Sequence, residues 1–290
     1  MPEPPRLVMV AGPNGSGKST LIAALRADRA VALPALYLNA DDLQRERGLS
    51  DAIEAQRLVA AARARALRDR ADLMYETVMS HPGKLAELQQ ARAAGYHVTV
   101  VLVATEHPAL NVERVAARVA AGGHDVPPDR IRARYERTLA LAPLAVGQAD
   151  EAFVFDNSPS AAAGRVPALH AATQAGRLAF TAEAPARWVE RLIRSVDERA
   201  AERAAFVDAA EASGLGLHDA RLQDGASQGP IVAIGAHGVL QYDEPSRGGV
   251  LHERLLLGVL SDRLAPGQSV QVTYREGVPG VEPPQPALRH

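Results

Sequence analysis

Residues 8–25 read VMVAGPNGSGKSTLIAAL. Within them Gly12, Gly17, Lys18 and Ser19 complete the pattern G-x-x-x-x-G-K-S, with an apolar run before it and an apolar, helix-compatible segment after it. A strand, a glycine-rich loop, Lys-Ser and a helix in that register make a phosphate-binding loop. Glycines at 12, 15 and 17 permit backbone angles closed to other residues and let main-chain N–H groups converge on phosphate oxygens. The helix beginning near Lys18 adds its positive end. The Lys18 ammonium is suited to bridge β- and γ-phosphates, and the Ser19 hydroxyl to ligate Mg²⁺. The stretch predicts binding of ATP with Mg²⁺ through Gly12, Asn14, Gly15, Ser16, Gly17, Lys18, Ser19 and Thr20. The competing reading, a strand-to-helix turn that binds nothing, does not explain why all four parts occur together.

The 290 residues suffice for one sizeable core and something smaller. A net charge of −2 gives no global electrostatic case for nucleic acid or an anionic membrane. The chain has no cysteine, which excludes disulfides, thiolate metal sites and cysteine nucleophiles. It shows neither a signal-peptide pattern nor an apolar run near twenty residues, so a cytoplasmic protein without membrane association is expected. Aromatic residues make up only 4%, which points to alanine-rich helices around an aliphatic core.

Short apolar runs at 7–12, 35–40, 72–77, 97–105 and 151–158 alternate with helical patterns. That order predicts an α/β fold, a parallel sheet flanked by helices. Residues 108–121 and 128–146 read as two helices interrupted by GGHDVPP, placed as a helical, mobile lid. A long helix is expected over 184–214, with Trp188, Leu192 and Val196 repeating every four residues. The expected division is a kinase-like domain over 1–212, a linker over 213–227, a small β-rich module over 228–277 and a disordered proline-rich tail over 278–290.

The loop alone does not separate kinases from GTPases or motor ATPases. No Asn-Lys-x-Asp stretch of the kind that selects guanine is present. Asp41, in YLNADDL, and Glu76, in LMYET, fall at the C-terminal ends of predicted strands, the edge where open α/β sheets bind ligands. Asp41 can orient an acceptor hydroxyl and take its proton late, while Glu76 can bind another hydroxyl or amide or hold water around Mg²⁺. The alternatives are helix capping for Asp41 and Asp42 and a surface salt bridge for Glu76. The lid carries Arg114, Arg118, Arg130, Arg132, Arg134 and Arg137. Most are expected on solvated faces, with one or two reaching the γ-phosphate on closure. His124, between a glycine and an aspartate, either contacts phosphate or decorates a turn. The other histidines lack metal-ligand spacing.

Together GPNGSGKST, LNADDL, YET, RVAARVAAGGHDVP and FVFDNS resemble the zeta toxins, P-loop kinases of bacterial toxin–antitoxin systems that phosphorylate the sugar of UDP-N-acetylglucosamine. The resemblance implies a P-loop kinase-like fold, with Lys18 and Ser19 as nucleotide and Mg²⁺ ligands. It implies Asp41 as the acceptor base, Glu76 with Thr77 in the sugar-nucleotide site, and Arg118 as the first lid arginine; an antitoxin is the implied protein partner. The second lid residue is open among His124, Arg130 and Arg134. Where better-known members follow the glutamate with Gly-Thr-Gly-Arg, this chain has TVMSHP. The segments GPIVAIGAHGVLQ, VLHERL and GQSVQVTYREG are similar to a small KfrB-type domain of plasmid-borne proteins, which implies a plasmid setting.

The leading expectation is a kinase for a nucleotide-sugar hydroxyl. Two others stand beside it. One is a P-loop kinase for a nucleic-acid end, a dinucleotide or an antibiotic. The other is a nucleotide-gated plasmid interaction protein, in which the β-rich module, but not the kinase domain, would meet nucleic acid.

Overall fold

The apolar run before the loop forms β1 (Arg6–Ala11), in which every residue after Arg6 is buried. Burial on both faces is what a central parallel strand requires. The computed structural model describes residues 3–28, 32–123, 125–158 and 166–284, with Ala52 described in its backbone alone. The chain divides into two compact units, Met1–Ser80 with Gln90–Ile193, and His81–Gln89 with Arg194–His290.

The first unit is built on a seven-stranded sheet of order β2-β3-β1-β4-β5-β6-β7. Here β2 is Leu36–Leu38, β3 is Leu73–Thr77, β4 is His97–Ala104 and β5 is Glu151–Asp156. These run parallel with β1. Each crossover carries helix, in chain order α1 (Lys18–Ala27), α2 (Ala40–Arg47) with α3 (Ala52–Arg68), α4 (Gly83–Ala93), of which only residues 90–93 belong to this unit, and α5 (Pro108–Ala120) with α6 (Pro128–Gln148). Leu21 and Ile22 of α1 pack on Val8, Val10, Met74, Val101 and Val103 of the sheet. Burying a side chain such as Leu21 or Met74 contributes about 2 kcal/mol.

The sheet is parallel through β5, as expected, and mixed beyond it. β6 (Ala168–Gln174) and β7 (Arg177–Thr181) add an antiparallel hairpin beyond β5. Its two-residue turn, Ala175 (φ 49°) and Gly176 (φ 72°), has the positive angles that suit the twist of paired strands. All of β7 is exposed, Leu178 and Phe180 included, so the strand buries neither face.

The second unit holds a six-stranded sheet of order β13-β12-β9-β10-β11-β8. The strands are β8 (Leu217–Asp219), β9 (Ala226–Ile234), β10 (Gly238–Asp243), β11 (Gly248–Glu253), β12 (Ser269–Arg275) and β13 (Val278–Glu282). The long helix α7 (Arg187–Ala212) gives its later part to this unit, where Phe206 packs on Leu240 and Leu251. The expected linker over 213–227 therefore contains β8 and the first residues of β9. The expected disorder from 278 is also corrected, since residues 278–282 pair antiparallel with β12. Pro279 is tolerated because β13 is an edge strand. Residues 285–290 lie outside the described residues.

A polar row runs through this sheet. Gln241 Nε2 donates to the carbonyls of Gly229 (3.0 Å) and Val270 (2.9 Å), which fixes the orientation of its amide. Its Oε1 then accepts from Ser227 Oγ (2.7 Å) and His252 Nε2 (3.0 Å), and His252 Nδ1 accepts from the Tyr274 hydroxyl (3.1 Å). His252 is thus a neutral imidazole protonated at Nε2, and it cannot serve Ser227 as a base. Burial, aided by His218 and opposed by Asp243, pushes it down to about 4.

Candidate active site

The loop between β1 and α1 leaves no room for side chains at its glycines. A Cβ at Gly15 would lie 2.6 Å from the Asn111 carbonyl oxygen, and one at Gly17 would overlap the Asn157 amide. Both have left-handed angles, φ 74° and 98°. The loop is propped from outside. Asn111 Nδ2 donates to the Asn14 carbonyl (2.7 Å), Asn157 Nδ2 to the Ser16 carbonyl (2.9 Å), and Arg134 Nη1 to Asn14 Oδ1 (3.2 Å). Asn111 is fully buried and also pairs with the Thr105 hydroxyl. Arg114 Nη2 donates to the Asn157 carbonyl at 2.8 Å. Ser16 Oγ is buried without a hydrogen-bond partner among the described residues. A tight backbone cradle of this kind fits the polyphosphate of ATP.

Lys18 opens α1 and is 7% exposed. Its Nζ donates to the carbonyls of Gly12 (2.8 Å) and Pro13 (3.0 Å) and lies 3.8 Å from Glu76 Oε1. Burial lowers its pKa, the charges of Glu76 and Asp41 oppose that shift, and Arg118 adds to it. All three groups therefore act on the lysine electrostatically.

Glu76 sits at the end of β3, whose register sets Val10 beside Glu76 and Ala11 beside Thr77. The Gly12 N–H accordingly donates to the Thr77 carbonyl at 3.2 Å. Glu76 Oε2 accepts from Ser19 Oγ (3.2 Å), the Tyr37 hydroxyl (3.2 Å) and Asn39 Nδ2 (3.1 Å). The surface salt bridge considered for this residue is not what the fold builds. Burial, with Glu76 as the next cause, raises the Tyr37 pKa, so its hydroxyl stays a donor. The Ser19 hydroxyl and the Glu76 carboxylate form an oxygen pair that suits a hard cation such as Mg²⁺. No cluster of three or more His, Cys, Asp or Glu side chains able to hold a metal exists among the described residues.

Asp41 is exposed in the first turn of α2. The cap of that helix is Asn39, whose Oδ1 accepts from the N–H groups of Asp41 (2.8 Å) and Asp42 (3.3 Å). Asp41 is thus freed from the capping role, while Asp42 pairs with Arg45 at 3.0 Å. Thr77 Oγ1 accepts from the Met79 N–H at 3.2 Å. Thr20 is exposed on α1.

The two lid helices share a small core of Val115, Val126 and Ile131. Arg118 is exposed on α5. Of the remaining candidates, Arg134 reaches the loop, and burial together with Arg130 and Arg137 lowers its pKa. Arg130 is exposed beside it, and Arg132 is engaged by Asp129 at 3.1 Å. His124 lies outside the described residues. Arg137 Nε donates to the Ser80 carbonyl (3.2 Å) and Thr138 Oγ1 to that of Val78 (2.7 Å), so α6 grips the TVMSHP run. Within it Met79, buried at 1% exposure, takes φ 54°, a conformation glycine adopts at no steric cost.

Sequence reasoning missed Tyr37, Asn39, Asn111 and Asn157. A signal existed for Asn39, a good N-cap residue just before a helical pattern. The partners of Asn111 and Asn157 are 97 and 141 residues away in the chain, and no local pattern reports them.

A sequence model of one family, described as zeta toxin, matches residues 1–161. No curated protein matches the chain. Among solved structures, the chain is similar to the AvrRxo1-ORF1:-ORF2 complex at 14% identity and TM-score 0.49, over 65% of this chain and 63% of that one. It is also similar to the PezAT chromosomal toxin–antitoxin system of Streptococcus pneumoniae at 16% identity and TM-score 0.42, over 68% and 86% of the two chains. A gluconokinase from Sinorhizobium meliloti 1021 aligns at 16% identity and TM-score 0.32, over 71% and 98%. Identities this low leave the reading of function to the family match and to the geometry of the site.

Proposed function

The chain belongs to the zeta toxin family, and on that premise we propose that it is an ATP- and Mg²⁺-dependent kinase that phosphorylates a sugar hydroxyl of UDP-N-acetylglucosamine, as the toxin of a toxin–antitoxin pair. The observation that carries the reading is one constellation at the C-terminal edge of the sheet. Lys18 and Ser19 from the loop meet Glu76 from β3, with Asp41 and Arg118 in electrostatic reach of the lysine.

Each group has a task in phosphoryl transfer, where catalysis is mostly alignment and charge neutralisation. The loop N–H groups and Ser16 hold the polyphosphate, and Lys18 exchanges its two carbonyl partners for phosphate oxygens. Bound Mg²⁺ would offset phosphate charge, and Ser19 with Glu76 would hold it or its waters. Asp41 orients the acceptor hydroxyl and receives its proton as that oxygen bonds the γ-phosphorus and the bond from this phosphorus to the departing ADP oxygen breaks. Arg118, with Arg134 or Arg130 as the second lid cation, stabilises charge on the moving phosphoryl group. Glu76 and Thr77 also border the space for the sugar nucleotide.

A kinase for a different acceptor is the second reading. It draws on the TVMSHP run, where Met79 and Ser80 stand in place of Gly and Arg of the run in better-known members. The β-rich unit, through its KfrB-like segments, fits a plasmid-borne protein working in the cytoplasm. No helix among the described residues is long and apolar enough to cross a membrane.

The test is to incubate the protein with ATP, Mg²⁺ and UDP-N-acetylglucosamine beside a Lys18→Ala control and to weigh the products by mass spectrometry. A phosphorylated sugar nucleotide absent from the control is the expected result. Phosphorylation of polynucleotide ends or other acceptors instead would transfer the assignment to the second reading.

A further inference from the structure

Asn39 spends every hydrogen-bonding position of its amide on the two sides of the acceptor site. Its Oδ1 accepts from the N–H groups of Asp41 and Asp42 and so fixes the first turn of α2. Its Nδ2 donates to Glu76 Oε2 (3.1 Å) and to the Tyr37 hydroxyl (2.9 Å), which itself donates to the same Glu76 oxygen (3.2 Å). One planar group therefore joins the element that carries the proposed base to the carboxylate facing Lys18 and Ser19. Tyr37 is held in turn by the Arg26 guanidinium, 4.3 Å from its ring centroid.

We infer that Asn39 is a positioning residue for phosphoryl transfer, setting the place of Asp41 relative to Glu76 through the two ends of a single amide. The inference rests on the kinase reading above and adds a residue that the reading does not use. A helix cap needs only an acceptor, and Asp or Ser serves as well as Asn. The donor half of the amide is superfluous to capping. It matters only if the position of Glu76 relative to α2 matters.

That asymmetry supplies the experiment. In the full chain, Asn39→Ser keeps a cap acceptor and removes the donor. Asn39→Asp keeps the cap and sets a second carboxylate against Glu76. Steady-state kinetics with MgATP and the acceptor that the wild-type protein phosphorylates are read for both variants, with thermal melts as the check on folding. Small misplacements of reacting groups cost about a hundredfold in rate, so kcat is expected to fall about tenfold or more in Asn39→Ser and further in Asn39→Asp. KM for ATP should stay within about threefold of wild type and the melts should remain cooperative, as for changes felt mainly in the transition state. Wild-type kcat in both variants would overturn the inference and leave Asn39 a simple cap. A rise in KM for ATP with kcat unchanged would overturn it too, by placing the effect in nucleotide binding. Should the wild-type protein phosphorylate no acceptor, the kinase reading fails and this role falls with it, an outcome distinguishable because it appears before any variant is made.

Discussion

Glu76 and Asp41 show how differently two carboxylates at one sheet edge can be committed. Glu76 is engaged by Lys18, Ser19, Tyr37 and Asn39, whereas Asp41 keeps an exposed side chain because Asn39 takes the capping task. A free carboxylate at that place is what an acceptor base needs. Asp41→Asn should therefore lower kcat by about a hundredfold or more while calorimetry finds ATP affinity within a few-fold of wild type. Full activity in that variant would remove Asp41 from the mechanism. Asn111 offers a prediction of another kind, since truncation leaves the Asn14 carbonyl without its buried donor. Asn111→Ala should cost about 1–3 kcal/mol in unfolding experiments and weaken ATP binding as well. Unaltered affinity would show that the loop holds its shape alone. At this scale the loop residues suited to phosphate were readable, because each chemical type is dictated by the ligand. The props were not, because asparagine donates equally well to any carbonyl the fold brings near.

Among elements, the lid helices were plain in the sequence, and α5 and α6 occur where the periodicity places them. Their mutual packing is a small cluster centred on Val115, Val126 and Ile131. Ile131→Ala should cost about 2–5 kcal/mol of local stability, read by hydrogen exchange in α5 and α6. Because Arg134 and Arg118 ride on these helices, kcat should fall as well. Exchange rates like those of wild type would place the lid's stability elsewhere. The elements the sequence concealed share one physical cause. β7 and β13 are both edge strands, β7 exposed throughout and β13 containing a proline, so neither has the burial that marks a strand inside a sheet. Both are held by backbone pairing to a neighbour and by a two-residue turn, at Ala175–Gly176 and Glu276–Gly277. Pairing is a property of the neighbour as much as of the strand.

The whole molecule comprises two units with cores of their own, and the second carries a titratable group in its centre. His252 is held neutral at about 4, below the 6.5 of an ordinary histidine, so the unfolded chain binds the extra proton first as pH falls. Its contribution is fully present above about pH 6.5 and is lost progressively toward pH 4, by roughly 3 kcal/mol in all. Chemical unfolding of the second unit between pH 7.5 and 4.5 should therefore lose less stability in His252→Gln than in the wild-type chain. Equal losses would mean that His252 is not the group that titrates. What the sequence by itself determined is the glycine-rich loop, the α/β alternation and the carboxylate at the end of β3. Their signals are local, a motif of fixed spacing or a periodicity within one element. Only the tertiary structure decided the antiparallel extension of the sheet, the strands in the supposed linker and tail, and the amides that join α2, α5 and β5 to the site. Those depend on which backbone and which side chain arrive from distant parts of the chain, and no spacing within a single segment encodes that.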